Sequence, residues 1–169
     1  MDTPITVSRA PEVIAPGSGH HLHFLNHLAT IKVHGRDSAL SAVEFLCPRG
    51  FGPPLHRHED EDEVFVVLEG RIAVHTGDDI TFAEAGGIAY LPHAVPHTFQ
   101  VHSEQARFVC VSGGHTGPPR FDAMVVALGV EVATPSLPEP GPIDPNRVAE
   151  ICTAHRIQVL GPPPGPLPA

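Results

Sequence analysis

The stretch Gly50-Phe-Gly-Pro-Pro-Leu-His56-Arg57-His58-Glu-Asp-Glu-Asp-Glu63-Val-Phe-Val-Val-Leu-Glu-Gly70 constrains this chain more than any other, because it sets two imidazoles and a carboxylate beside an apolar run. Side chains alternate faces along an extended strand, so His56 and His58 project to one side and Arg57 to the other. The run Val64-Phe65-Val66-Val67-Leu68 is apolar and β-branched and reads as a buried strand. Parity changes between His58 and Glu63, so a turn or bulge must re-aim the chain, and Glu59, Asp60, Glu61 and Asp62 suit it. Burying three polar side chains against such a strand is costly unless they are paired or coordinated. A metal site is therefore preferred over a set of surface or hydrogen-bonded residues.

A further ligand is available in Gly86-Gly-Ile-Ala-Tyr90-Leu-Pro92-His93-Ala94-Val95-Pro96-His97-Thr98-Phe99. The two segments resemble the paired motifs of the cupin family, Gly-x5-His-x-His-x4-Glu-x6-Gly and Gly-x5-Pro-x-Gly-x2-His-x3-Asn. Gly50, His56, His58, Glu63 and Gly70 match the first at every defined position, and Gly86, Pro92 and His97 match the second. Ala94 stands where the pattern has glycine and Val101 where it has asparagine, departures that bear on the turn near residue 94 and not on the ligand. His93 competes with His97. His97 has the family spacing and precedes Phe99 on an alternating strand, whereas His93 falls in the turn, so His97 is taken as the fourth ligand. With thirteen histidines in the chain most must serve elsewhere, and His20, His21, His23, His27 and His34 are expected at the surface or rim, with room for one to reach the cavity.

Length suits one compact domain with tails. The net charge of −9, with Lys32 the single lysine, argues against a nucleic-acid or anionic-membrane partner. No apolar stretch approaches the roughly 20 residues of a membrane span, and the N-terminus lacks a signal pattern, so a cytoplasmic location is expected. Cys47, Cys110 and Cys152 have no paired spacing, which points to core thiols rather than disulfides or a thiolate site.

Short β-like runs follow one another at turn-spaced intervals: 23–28, 29–34, 39–46, 64–68, 71–76, 80–83, 88–91, 97–102 and 108–112. Glu69-Gly70 and Gly77-Asp78 read as hairpin turns. Such a series indicates an antiparallel sandwich or barrel. The expected fold is all-β, the jelly-roll barrel that the cupin resemblance implies, occupying residues 20–115 after a loose arm over 1–19. Residues 116–169 read as a C-terminal extension with two short helices and a proline-rich tail. The first helix carries Phe121, Met124, Val125 and Leu128 at helical spacing before Gly129. The second opens at Asp144-Pro145 and buries Val148 and Ile151. Residues 161–169 are expected to be mobile or draped on a neighbour.

Three imidazoles and a carboxylate suit one divalent transition ion per chain, Fe, Ni, Co, Mn, Cu or Zn, better than Mg or Ca. An octahedral ion so held keeps two positions open. Glu63 has a second candidate role as catalytic base, which would require burial to raise its pKa. Phe45, Phe65, Val67, Tyr90, Phe99 and Phe108 are candidates for lining a substrate cavity, although strand residues of this kind are more often plain core. Neither motif has a cation facing the site, so the expected partner is an apolar or aromatic small molecule with oxygen ligands. The arrangement looks like the single-domain bacterial relatives of quercetin dioxygenase. That resemblance implies a dioxygenase opening a flavonol-like enol, with His56, His58 and His97 as ligands and Glu63 as ligand and base. A non-redox cyclase, isomerase or dehydratase using the ion as a Lewis acid is the alternative, and a binding cupin without turnover a third reading. A homodimer is expected, because the region His20–His34 would add strand edges that need covering.

Overall fold

The computed structural model describes residues 10–167. The first nine residues of the expected arm lie outside that range, and residues 10–19 contain no helix or strand. The barrel strands are β1 (His20–Phe24), β2 (His27–Val33), β3 (Leu40–Pro48), β4 (Leu55–His58), β5 (Glu61–Glu69), β6 (Arg71–Thr76), β7 (Asp79–Glu84), β8 (Ile88–Leu91), β9 (Thr98–Val101) and β10 (Gln105–Gly114). After them come α1 (Phe121–Leu128), β11 (Val130–Glu131), α2 (Pro145–Ala154) and β12 (Ile157–Gly161). One sheet has the order β11-β1-β2-β3-β10-β5-β8; the others are β7-β6-β9 and β12-β4. An antiparallel bridge between His56 and His97 ties β4 to the segment entering β9. The result is the all-β jelly roll with short helices that the pattern of turns predicts.

Alternation along β5 explains the core. Glu61, Glu63, Phe65 and Val67 are buried while Asp62, Val64 and Val66 are half-buried on the other face. Phe65, Phe99 and Phe108 meet inside, with ring centroids 5.1–5.6 Å apart, a separation at which edge-to-face and tilted aromatic pairs are favourable.

Three local expectations change. First, the N-terminal region is a hairpin with strands at 20–24 and 27–33, not at 23–28 and 29–34. Leu25 and Asn26 both take positive φ (47° and 67°), the pattern of a two-residue type I′ turn, which no glycine advertises here. Second, only Glu59 and Asp60 form the bend after β4; Glu61 and Asp62 already belong to β5. Third, the C-terminal extension is part of the barrel. β11 pairs with β1 and β12 with β4. The tail lies on its own barrel, where the Gln100 side chain donates to Gly165 O at 2.7 Å and Leu55 N to Pro162 O at 3.3 Å.

Both helices form where expected. The Asp144 side chain accepts from Asn146 N and Arg147 N with Pro145 at the first position, and α2 buries Val148 and Cys152, with Ile151 only partly covered. Cys47, Cys110 and Cys152 are free and buried. Among the described residues no helix is long and apolar enough to cross a membrane.

Candidate metal centre

The fold brings together the four residues singled out as ligands. One ligand atom from each of His56, His58, Glu63 and His97 lies within 4.8 Å of all the others. β4 supplies the first two, β5 the carboxylate, and the segment leading into β9 the last. His58, Glu63 and His97 are 1–2% exposed. Arg57, on the opposite face of β4, bonds Gln158 at the surface.

Hydrogen bonds fix which nitrogen of each ring faces inward. His56 Nδ1 lies 2.8 Å from Pro54 O and His97 Nδ1 3.0 Å from Val95 O. A carbonyl only accepts, so in both rings Nδ1 carries a proton and Nε2 is the nitrogen turned toward the site. For His97 that nitrogen lies 3.1 Å from Glu63 Oε2. His58 Nε2 lies 3.2 Å from the same oxygen, yet neither of its ring nitrogens has a hydrogen-bond partner. Two ring nitrogens held against one buried carboxylate oxygen need a cation shared between them, a proton or a metal ion. The spacing is that of neighbouring ligands around an ion bound at roughly 2.0–2.2 Å, so the donor set fits a divalent transition metal. Glu63 Oε1 is held separately, accepting from the Cys110 thiol at 3.2 Å.

The electrostatics follow from burial and from one shared carboxylate. Burial drives the His56 pKa down to about 3, helped by His97 and His58. At His58 burial also opposes charge, but Glu63 outweighs it and the pKa is raised. Glu63 is held well below the usual carboxylate range: burial alone would raise it, and His58 and His97 overcome that. Burial therefore does not by itself give Glu63 the raised pKa that a role as base would require. A carboxylate flanked by two imidazoles is a ready ligand and a weak base.

Beside the cluster lies a cavity of about 60 Å³. Phe45, Phe65, Phe99 and Phe108 line it as expected, together with Phe24, Phe51 and Met124. Val67 does not; it is buried in the core. Tyr90 is 60% exposed and donates to Asp62 instead, because β8 is an edge strand and Tyr90 is on its outer face.

Of the N-terminal histidines, His27 reaches the cavity and the rest do not. It is 2% exposed, packs against Phe24, Phe45 and Phe51, and has its pKa lowered by burial to about 3. Its Nδ1 lies 3.3 Å from Leu25 O, so the ring is neutral with Nε2 as its acceptor. Apart from Glu63 and His56, it is the polar side chain of an otherwise apolar lining. This corrects the expectation that placed His27 with the surface or rim histidines, because the turn that sets its parity was not visible in the sequence.

Comparison with known proteins agrees with this architecture. Residues 43–112 match the family model for the cupin domain. The chain thus has a cupin-type jelly-roll barrel closing over a cluster of three histidines and a glutamate. It resembles proteins of the quercetin dioxygenase type. Over 103 residues it is 27% identical to quercetin 2,3-dioxygenase of Bacillus subtilis (strain 168), a match covering 60% of this chain and 31% of that protein. Among solved structures, oxalate decarboxylase from Bacillus subtilis superposes with a TM-score of 0.53 at 23% identity, covering 66% of this chain and 31% of that one. The Schizosaccharomyces pombe Cnp3 cupin domain gives 0.50 at 14%, covering 55% and 64%. At these identities the structural likeness is one of fold alone.

Proposed function

We propose that this protein, with its cupin-type barrel, is a metal-dependent dioxygenase acting on an apolar enolic or aromatic small molecule. The observation that carries the reading is the buried cluster of His56, His58, Glu63 and His97 opening onto one phenylalanine-lined cavity. A bound transition ion would polarise an oxygen-bearing substrate and support reaction with dioxygen. The chain's own residues hold the ion, exclude water through the aromatic wall, and orient the substrate with the neutral His27 ring as hydrogen-bond acceptor. A low Glu63 pKa leaves it as ligand first; a hydroxyl proton is taken up there only if the ion has already made the hydroxyl acidic. The partial likeness to quercetin 2,3-dioxygenase supports the reaction class.

The same donor set would serve a second reading, a non-redox cyclase, isomerase or dehydratase in which the ion is only a Lewis acid. Oxygen uptake decides. Protein loaded separately with Fe, Ni, Co, Mn or Cu is screened on an oxygen electrode against small enols and flavonols, with a zinc-loaded sample beside it. Uptake coupled to substrate loss supports the dioxygenase; substrate loss without oxygen, sustained by zinc, replaces it with the Lewis-acid enzyme.

We also propose a homodimer in the cytoplasm, the latter in keeping with three unpaired thiols. The N-terminal edge is not the open one, because β11 covers β1. Edge strands β7 and β8 instead expose Ile80, Ile88 and Tyr90, and covering them would favour pairing. A monomeric mass in light scattering at micromolar concentration would remove this part of the proposal.

A further inference from the structure

The strand that carries Glu63 inward carries Asp62 outward, and a second ligand set gathers there. Asp62 Oδ1 lies 2.8 Å from His93 Nδ1 and 3.0 Å from His115 Nε2. The two rings sit with centroids 4.2 Å apart, and one ligand atom from each of the three residues falls within 4.8 Å of the others. We propose that Asp62, His93 and His115 form a second, outer site for a borderline divalent transition ion such as zinc.

Three observations carry it. Asp62 Oδ1 faces three nitrogens at once, His93 N and His93 Nδ1 at 2.8 Å and His115 Nε2 at 3.0 Å, although one carboxylate oxygen offers about two lone pairs. An ion held between the carboxylate and the two rings relieves that crowding. Asp62 is also braced as ligating carboxylates are: Tyr90 donates to its other oxygen at 2.9 Å. Finally, the ligands rest on fixed backbone. Asp62 pairs with Gly113 across β5 and β10, His115 N donates to Asp60 O at 2.9 Å, and Ala94 N, next to His93, donates to His58 O at 2.7 Å. Two imidazoles and one carboxylate suit zinc, cobalt, nickel or copper rather than magnesium or calcium. The ligands are 25–47% exposed, so water or an outside donor completes the shell.

The outer site shares its scaffold with the inner one. Asp62 and Glu63 are adjacent in β5, and His93 and His97 share the segment between β8 and β9. An ion outside therefore clamps the segment that presents His97 inside. This site does not depend on the reaction assigned to the inner one.

The test uses the full chain stripped with chelator and titrated with zinc alone by calorimetry, with cobalt absorption as a second readout. Wild type is expected to bind two equivalents, the inner one tighter. His58→Ala should remove the inner equivalent and keep the outer; His93→Ala and, separately, His115→Gln should do the reverse. Both outer variants replace exposed rings, so a folding defect in one leaves the other to report. One equivalent in wild type that His58→Ala removes, or a second equivalent that survives in both outer variants, would overturn the proposal and leave a surface cluster without an ion. Loss of the inner equivalent alone would count against the inner centre and not this one.

Discussion

His56 and His97 exchange both backbone hydrogen bonds, His56 N to His97 O at 3.1 Å and His97 N to His56 O at 2.8 Å. Two ligands 41 positions apart in sequence are thereby fixed as direct neighbours across an antiparallel bridge. Each ring is then set by the carbonyl two residues before it, Pro54 for His56 and Val95 for His97. The inner face of the centre is thus organised by main chain before any ion binds.

The first prediction follows from that arrangement. His97→Ala should abolish stoichiometric binding at the inner site, whereas Glu63→Gln should weaken it, because the amide oxygen still reaches the ion but the charge that draws it in is gone. Metal content after dialysis checks both. Tight binding retained in His97→Ala, but lost from the inner site in His93→Ala, would show that His93 is the ligand.

Acid sensitivity should be traceable in part to His27, along with His56, whose pKa burial lowers to the same extent. The His27 pKa is about 3 in the folded protein against an ordinary 6.5, so below 6.5 the unfolded chain binds the extra proton and stability falls with pH until about 3. The full effect is on the order of 4–5 kcal/mol. His27→Phe should flatten the decline of the urea midpoint between pH 6 and 4, measured in chelator so that metal loss does not contribute. An unchanged slope in the variant would place the acid sensitivity elsewhere.

Ala94→Gly should stabilise the protein. Ala94 holds φ at +63°, in the left-handed region that costs a residue with a Cβ roughly 1–2 kcal/mol, and glycine's greater freedom when unfolded returns part of that, about 0.5–1 kcal/mol. The expected net gain is a few tenths to about 1 kcal/mol by urea denaturation. A loss would show that the alanine methyl makes contacts worth more than the strain.

The same residue shows what was legible in the sequence. The departure of Ala94 from the glycine of the motif flags this turn, and the turn keeps its left-handed shape. The ligands were readable because strand parity and spacing are local properties. β11 and β12 were not. Val130–Glu131 is too short to carry a period, and Ile157–Gly161 is defined by its pairing with β4, a contact about 100 residues away along the chain. His27 was hidden for a similar reason, since a Leu-Asn hairpin turn has none of the glycine punctuation that would have fixed its parity.

Glu61 is the residue through which the C-terminal helices should influence the metal. It is 4% exposed and accepts from Arg120 N at 2.6 Å and Phe121 N at 3.3 Å, capping α1. Its carboxylate also stands 3.9 Å from His58 Nδ1, the nitrogen of that ring turned away from the centre, which has no hydrogen-bond partner. Burial raises the Glu61 pKa, partly offset by the Arg120 amide and His58, so the group is poised between cap and imidazole partner. Glu61→Ala should cost about 1–3 kcal/mol, the penalty for orphaned buried donors. It should also weaken inner-site metal binding roughly 10–100-fold, as losing a carboxylate behind a ligating histidine does. Glu61→Gln, which keeps an acceptor for the helix but not the charge, should recover stability more than affinity. If Glu61→Ala unfolds more easily yet binds metal as tightly as wild type, Glu61 is a helix cap alone and His58 needs no partner behind it.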